Sequence, residues 1–92
     1  MIKNEKFGSV WEALEGDPIR VENFKLRSAL MIKIAEKIRS KKLTQKEAAK
    51  MLRITQPRVS ALLKGKIDAF RLDSLVDMAH RLGLHVSIKI AA

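Results

Sequence analysis

Hydrophobic residues recur at three- and four-residue steps along most of the chain, a period that predicts amphipathic helices. The longest stripe predicts a helix from about Val21 to Ser40. Shorter helices are predicted from Thr44 to Leu52, from Gln56 to Lys64 and from Leu72 to Leu82. The residues expected to face the core are Phe24, Leu26, Leu30, Met31, Ile34, Ala35, Ile38, Ala48, Ala49, Leu52, Val59, Leu62, Leu72, Leu75, Val76, Ala79 and Leu82.

The residues at the ends of the two middle segments are typical helix starts and stops. Thr44 and Thr55 are suitable N-caps, and Glu47 completes a capping box with Thr44. Pro57 is tolerated in the first helical turn, where no intrahelical N–H bond is lost. Gly65 stands where a helix usually ends. The sequence therefore predicts two short helices joined by the tight turn of residues 53–55.

The first twenty residues are predicted to form a leader with one short helix. Ser9 is a suitable cap for it, with Glu12 at the capping-box position. Gly16, Asp17 and Pro18 are expected to stop this helix. Its apolar residues are Val10, Trp11 and Leu14. The main domain is then expected to span residues 21–83.

The hydrophobic period changes after Gly83. In residues 84–92 apolar and polar residues alternate, which predicts a β-strand. A single strand leaves a row of backbone groups unpaired. It must pair with the same strand of a second subunit, with residues 1–6, or with another protein. The residues expected at a dimer interface are Leu84, Val86, Ile88 and Ile90.

Composition narrows the class of protein. The 92 residues are enough for one domain, and 47% of them are hydrophobic, which supports a modest core. The absence of cysteine excludes disulfides and thiolate metal sites. No apolar run approaches the roughly 20 residues that span a bilayer, and residues 1–9 contain no signal-peptide core. We therefore expect a cytoplasmic protein without a membrane partner.

Positive charge is concentrated in the middle of the chain. Residues 39–66 contain nine basic residues and one acid, Glu47, and so carry +8 of the total net charge of +9. Residues 1–22 contain three basic and five acidic residues, a net charge of −2. The basic middle favours an anionic partner, nucleic acid before an anionic membrane surface.

The basic stretch also contains the pattern of a helix-turn-helix over residues 44–66. Ala49 is the small residue needed where the second helix crosses the first, and Ile54 is the apolar plug of the turn. Val59 and Leu62 face inward in the second helix. Its N-terminal half then presents polar side chains outward, as a helix that enters the major groove of DNA requires.

This run resembles the lambda-repressor/Cro-type helix-turn-helix family, also called the XRE family. The resemblance is carried by Thr44-Gln45-x-Glu47-x-Ala49 and by the turn Ile54-Thr55-Gln56. The chain is similar to a subgroup of small regulators that includes HigA-type antitoxins, through Gln56-Pro57-Arg58-Val59-Ser60, Leu63-x-Gly65-Lys66 and Phe70-x-Leu72-x-x-Leu75. Over residues 26–90 the resemblance implies an all-α, lambda-repressor-like DNA-binding domain of about five helices, with a C-terminal β-strand used for dimer pairing.

Two positions depart from the pattern of this subgroup. Arg53 stands in the turn where glycine is usual, and a left-handed residue other than glycine costs about 1 kcal/mol. Arg71 stands before Leu72, where a serine cap is common. Both departures replace a small residue by a cation that can contact the DNA backbone.

The expected base-reading residues lie in the first half of the second helix. Gln56 is the best candidate, since its amide matches adenine N6 and N7. Ser60 and Ala61 are expected to face base edges one turn further on, and Ala61 or Pro57 to touch a thymine methyl group. Arg58 either reads a guanine or holds a phosphate, and the sequence does not decide between these roles.

The expected phosphate contacts surround this helix and position it without reading sequence. Two helix N-termini, after Thr44 and Thr55, direct N–H groups toward phosphates. The predicted phosphate-binding residues are Thr44, Gln45, Arg53, Thr55, Lys64, Lys66 and Arg71.

The resemblance implies a homodimeric repressor of transcription that is also the antitoxin of a toxin–antitoxin pair, bound to operator DNA and to a small RNA-cleaving toxin. The alternatives are a stand-alone phage or host regulator and a protein-interaction adaptor. His80 and His85 lack a third ligand, so no metal site is expected. No nucleophile–base pair and no cofactor-binding loop are present, so we expect neither an enzyme nor a cofactor.

Overall fold

The computed structural model describes residues 17–92, so the short helix predicted from Ser9 lies outside the described residues. The described chain forms four α-helices and one short 3₁₀ helix. These are α1 (Pro18–Ser40), α2 (Gln45–Leu52), α3 (Gln56–Leu63), the 3₁₀ helix (Ile67–Ala69) and α4 (Leu72–Arg81).

Helix α1 begins three residues earlier than the sequence predicts. The side chain of Asp17 accepts hydrogen bonds from the backbone N–H groups of Ile19 (3.1 Å) and Arg20 (3.3 Å). Pro18 occupies the first helical position, where its missing N–H costs nothing. Asp17 and Pro18 were expected to stop a preceding helix, and here they begin this one. Three residues assigned to the leader therefore belong to α1.

One core joins all four helices. α1 packs along α4 and also contacts α3 and the 3₁₀ helix, while α2 packs against α3. The core contains no buried polar or charged residue among those described. Its buried residues are Phe24, Met31, Ile34, Ile38, Ala48, Ala49, Leu52, Val59, Leu62, Ile67, Phe70, Leu75, Met78, Ala79 and Leu82.

Two residues expected in the core are exposed instead. Leu26 is 50% exposed because it lies two residues from buried Phe24, about 200° around the helix axis. Val76 is 37% exposed, and Met78 takes the expected inward place three residues after Leu75. In both helices the wrong assignment came from neighbouring apolar residues that cannot all share one helical face.

All four helices end in the same way, at a single residue with left-handed backbone. These residues are Lys42, Arg53, Gly65 and Gly83, with φ of 55°, 58°, 74° and 84°. After each one, the next residue donates its N–H to the carbonyl five residues earlier, the pattern of a Schellman motif. The four bonds are Leu43 to Ile38 (3.2 Å), Ile54 to Ala49 (3.0 Å), Lys66 to Ala61 (3.0 Å) and Leu84 to Ala79 (2.9 Å).

These helix ends return the chain to the core. Leu43, Ile54 and Leu84 each come directly after a left-handed residue, and each packs against the core cluster. An apolar contact of this kind commonly accompanies a Schellman motif. From the sequence, Lys42 is expected only to be part of a short link. In the structure it is the left-handed residue that ends α1.

The strand predicted after Gly83 is not formed in this structure of a single chain. Residues 84–92 have no helix or strand, and Ile88 and Ile90 are 84% and 88% exposed. A strand needs a partner for its backbone groups, and residues 17–83 offer no other strand. Within the described part of the chain, no helix has the length and apolarity needed to cross a membrane.

The two adjacent lysines after α1 give a matched test of the left-handed helix end. Replacing Lys42, with φ of 55°, by glycine should raise the free energy of unfolding by up to about 1 kcal/mol, because strain is relieved. Lys41 has φ of −81°, so Lys41→Gly should lower stability instead. Urea unfolding measures both. Equal effects of the two substitutions would contradict the role given to Lys42.

Candidate nucleic-acid interface

α2, the turn after it and α3 form a two-helix unit that is held together by small and branched apolar residues. Ala49 is buried on α2, and Val59 and Leu62 are buried on the inner side of α3. Ile54, in the turn, is half-buried and packs against the core. The inward residues predicted for this unit are therefore confirmed, and the opposite side of α3 is left for contacts outside the domain.

The turn is built without glycine. Arg53 has φ of 58° and ψ of 43°, and the N–H groups of Arg53 and Ile54 both donate to the carbonyl of Ala49. The Arg53 side chain is exposed. The structure therefore places a cation at the corner between the two helices, at the cost of a strained backbone.

The N-terminus of α2 has free hydrogen-bond donors. Thr44 Oγ1 accepts from the N–H of Glu47 (3.1 Å), and the Glu47 carboxylate accepts from the N–H of Thr44 (2.8 Å), which is the predicted capping box. The N–H groups of Gln45 and Lys46 have no partner within residues 17–92. The hydroxyl proton of Thr44 can still be donated. This helix end can therefore give several hydrogen bonds to one phosphate.

The N-terminus of α3 offers fewer donors. Thr55 Oγ1 accepts from the N–H of Arg58 (3.3 Å), and Pro57, the second residue of the helix, has no N–H. The N–H of Gln56 alone in this first turn has no partner in the described chain. α2 is thus the better phosphate-binding helix end, and the start of α3 depends on side chains.

The predicted base-reading residues differ in exposure. Gln56 and Pro57 are exposed at the start of α3, and Ser60 is half-buried one turn further on. Ala61 is also half-buried and packs partly against the core, so less of its methyl group is available. The accessible polar side chains therefore lie at the N-terminal end of α3.

Arg58 is bound within the domain. Its Nη1 donates to the carbonyl of Ala69 (3.1 Å), and its Cζ lies 4.5 Å from the centre of the buried Phe70 ring. This geometry combines a charge-assisted hydrogen bond with a cation–π contact. The side chain that the sequence left between two DNA contacts thus joins α3 to the segment before α4.

Arg27 makes a similar contact from α1, and sequence reasoning missed it. Its Nη1 donates to the carbonyls of Ile67 (3.2 Å) and Phe70 (3.3 Å). Its Nε is buried and has no hydrogen-bond partner among the described residues. The available signal was its position, three residues after Phe24 and four before Met31, on the buried stripe of α1. A charged residue on such a stripe needs a polar partner in the fold.

The profile of the helix-turn-helix domain family matches residues 17–91 of the chain. The chain belongs to this family. A search of curated proteins finds no match. The helix-turn-helix domain indicates a DNA-binding regulator.

The basic side chains of the helix-turn-helix domain are not neutralised by the protein. Eight of the nine basic residues between 39 and 66 are exposed, and none of the nine forms an ion pair with any residue of 17–92. Glu47, the one acid in this stretch, is engaged in the capping box. The positive charge around α2 and α3 is therefore available to an anionic partner.

The predicted phosphate contacts after Thr55 lie at the end of α3 and before the start of α4. Lys64 and Lys66 are exposed on either side of Gly65. Arg71 precedes α4 without capping it, and its Nε lies 3.5 Å from Asp73 Oδ1. Both side chains of that pair are mostly exposed, so the ion pair is weak and can be exchanged for another anion.

Proposed function

We propose that this protein is a sequence-specific repressor of transcription that inserts α3 into the major groove of DNA. The observation that carries the proposal is the set of eight exposed basic residues between 39 and 66, which have no ion-pair partner in the described chain. Neutralising phosphates with such residues releases counterions, and this drives association with DNA. In a helix-turn-helix domain the second helix, here α3, fits into the major groove of DNA.

The proposed contacts divide into two kinds. The free N–H groups at the start of α2 and the side chains of Arg53, Lys64, Lys66 and Arg71 hold phosphates and set the position of the domain. Gln56, exposed at the start of α3, reads an adenine edge, and Ser60 reads a neighbouring base pair. Pro57 and Ala61 lie beside them as apolar contacts for thymine methyl groups.

We propose that the protein binds DNA as a homodimer through residues 84–90. Two helix-turn-helix domains held together contact half-sites about one DNA turn, roughly 34 Å, apart. The exposed Val86, Ile88 and Ile90 leave an apolar row without cover in the single chain. Leu84 anchors this segment to the domain through its N–H bond to Ala79 and its contact with the core.

The alternation of residues in this tail restricts the register of the pair. In an antiparallel pair, residues whose numbers have a constant sum lie opposite each other, and an even sum keeps all apolar residues on one face. A two-fold axis at Ser87 places Leu84 opposite Ile90 and Val86 opposite Ile88. Every apolar side chain of 84–90 then has an apolar neighbour across the pair.

The finer role that we propose is that of an antitoxin that represses its own operon. The support is the resemblance of residues 26–90 to HigA-type antitoxins and the net charge of −2 in residues 1–22, which suits a basic, RNA-cleaving toxin. A stand-alone regulator of phage or host genes is the main alternative. A protein-interaction adaptor explains the unneutralised basic surface less well.

Selection from a random duplex library, followed by sequencing, tests the DNA-reading proposal. We expect the wild-type protein to enrich a palindromic sequence. Gln56→Ala should lose the preference at one base pair of each half-site, worth about 1–3 kcal/mol, because only one base contact is removed. Lys66→Ala should keep every preference and reduce the slope of log affinity against log salt by about 1.8, because it removes one phosphate contact from each subunit of the dimer. No enriched sequence with the wild type would refute the proposal.

Two adjacent substitutions test the proposed dimer. Ile88→Ser removes an apolar side chain from the paired face in both copies, and should raise the dimer dissociation constant on the order of 100-fold. Lys89→Ser, on the other face, is the matched control and should have little effect. Sedimentation equilibrium measures both. A wild-type protein that stays monomeric, or an Ile88→Ser dimer as stable as the wild type, would contradict the interface.

Co-expression with the product of the neighbouring gene tests the antitoxin role. We expect that product to arrest growth when expressed alone, and this chain to restore growth and to co-purify with it. Trp11→Ala should weaken co-purification while DNA selection is unchanged, since Trp11 lies in the acidic leader and outside the helix-turn-helix. A neighbouring gene product that neither arrests growth nor co-purifies with this chain would favour the stand-alone regulator.

A further inference from the structure

The segment between α3 and α4 is held from two sides by arginine side chains. Arg27, on α1, donates to the carbonyls of Ile67 and Phe70, and Arg58, on α3, donates to the carbonyl of Ala69. Three of the four carbonyls of residues 67–70 thus accept hydrogen bonds from guanidinium groups. The two arginines are separated by 31 positions in the sequence, and both contact this segment.

Phe70 connects the two contacts. Its ring is buried in the core, the Arg58 guanidinium lies over the ring at 4.5 Å, and its carbonyl accepts from Arg27. Arg58 leaves α3 in the first turn, only two residues after Gln56. The orientation of the DNA-reading end of α3 is therefore tied to α1 through residues 67–70, in addition to the direct packing of α3 against α1 and α2.

We propose that Arg58 is a positioning residue for α3 and reads no base, and that Arg27 is its counterpart on α1. Together they hold Gln56 and Ser60 at one angle to the groove, so that all base contacts are made at once. The inference rests on the proposed DNA-reading function. In this role Arg58 neither reads a guanine nor holds a phosphate, which are the two DNA contacts that the sequence left open for it.

The chemistry of the contact separates arginine from lysine at this position. The guanidinium donates from Nη1 to the Ala69 carbonyl while its central carbon lies over the Phe70 ring. A lysine ammonium keeps the charge but has no flat face and no fork of donors. Arg58→Lys therefore preserves attraction to phosphate and removes the geometry that holds α3.

The test uses the full chain and two DNA probes, the duplex that the wild type selects from a random library and a scrambled duplex of equal length. The variants are Arg58→Lys, Arg58→Met and Arg27→Met, with Arg20→Met as a control for the loss of an exposed charge from α1. Affinities are measured at several salt concentrations, at a temperature where circular dichroism finds every variant folded.

If Arg58 and Arg27 position α3, substitutions at the two residues should have the same effect on DNA binding. For Arg58→Lys and Arg27→Met, the ratio of selected to scrambled affinity should fall on the order of tenfold, equivalent to about 1.4 kcal/mol. Preferences at all base pairs should weaken together, while the salt slope of Arg58→Lys stays unchanged. The two substitutions combined should cost less than the sum of their separate effects, because they act on one segment. Arg20→Met should leave the ratio unchanged.

Other results would overturn the inference. Loss of preference at a single base pair in Arg58→Met would make Arg58 a base reader. Full affinity in Arg58→Lys, with a salt slope reduced by about 1.8 in the Arg58→Met dimer, would make it a phosphate contact. An unchanged ratio in Arg27→Met would remove Arg27 from the mechanism. Failure of the wild type to select any sequence would instead refute the proposed function.

Discussion

The packing of this domain depends on how its helices end. Each of the four ends at one left-handed residue, and the residue after it donates its N–H to the carbonyl five residues earlier in the preceding helix. Short connections of this kind let α1, α2 and α3 succeed one another within a few residues and still share one core. At Lys42 and Arg53 the backbone strain, about 1 kcal/mol for each, is offset by the partial burial of Leu43 and Ile54 directly afterwards.

The second constraint is electrostatic. The described chain leaves the basic residues between 39 and 66 without counter-charges, so they repel one another when no ligand is bound. Stability at low salt is thereby reduced around α2 and α3, and an anion that binds there relieves the repulsion. The same basic surface thus lowers the stability of the free domain and favours the binding of an anionic partner.

Local sequence signals predicted where α2 and α3 begin, but contacts between residues distant in the sequence could not be predicted. Thr44 with Glu47, and Thr55 with Pro57, fixed the starts of α2 and α3 because each cap needs only neighbouring residues. Asp17 suits either the end of one helix or the start of another, and only the folded chain decides between them. The contacts of Arg27 and Arg58 cross 40 and 11 positions, which periodicity does not reveal. The predicted strand depends on a pairing partner, and residues 17–83 contain no other strand.

The contact of Arg58 with Ala69 and Phe70 has a practical consequence for protein engineering. Transplanting residues 44–66 into another scaffold would carry every predicted base contact and nevertheless separate Arg58 from its partners. A chimaera that keeps the geometry of α3 must extend through Phe70 and provide an arginine in place of Arg27 on the adjoining helix. The unit that can be transplanted is therefore larger than α2 and α3, because it includes the residues that contact Arg58 in the folded domain.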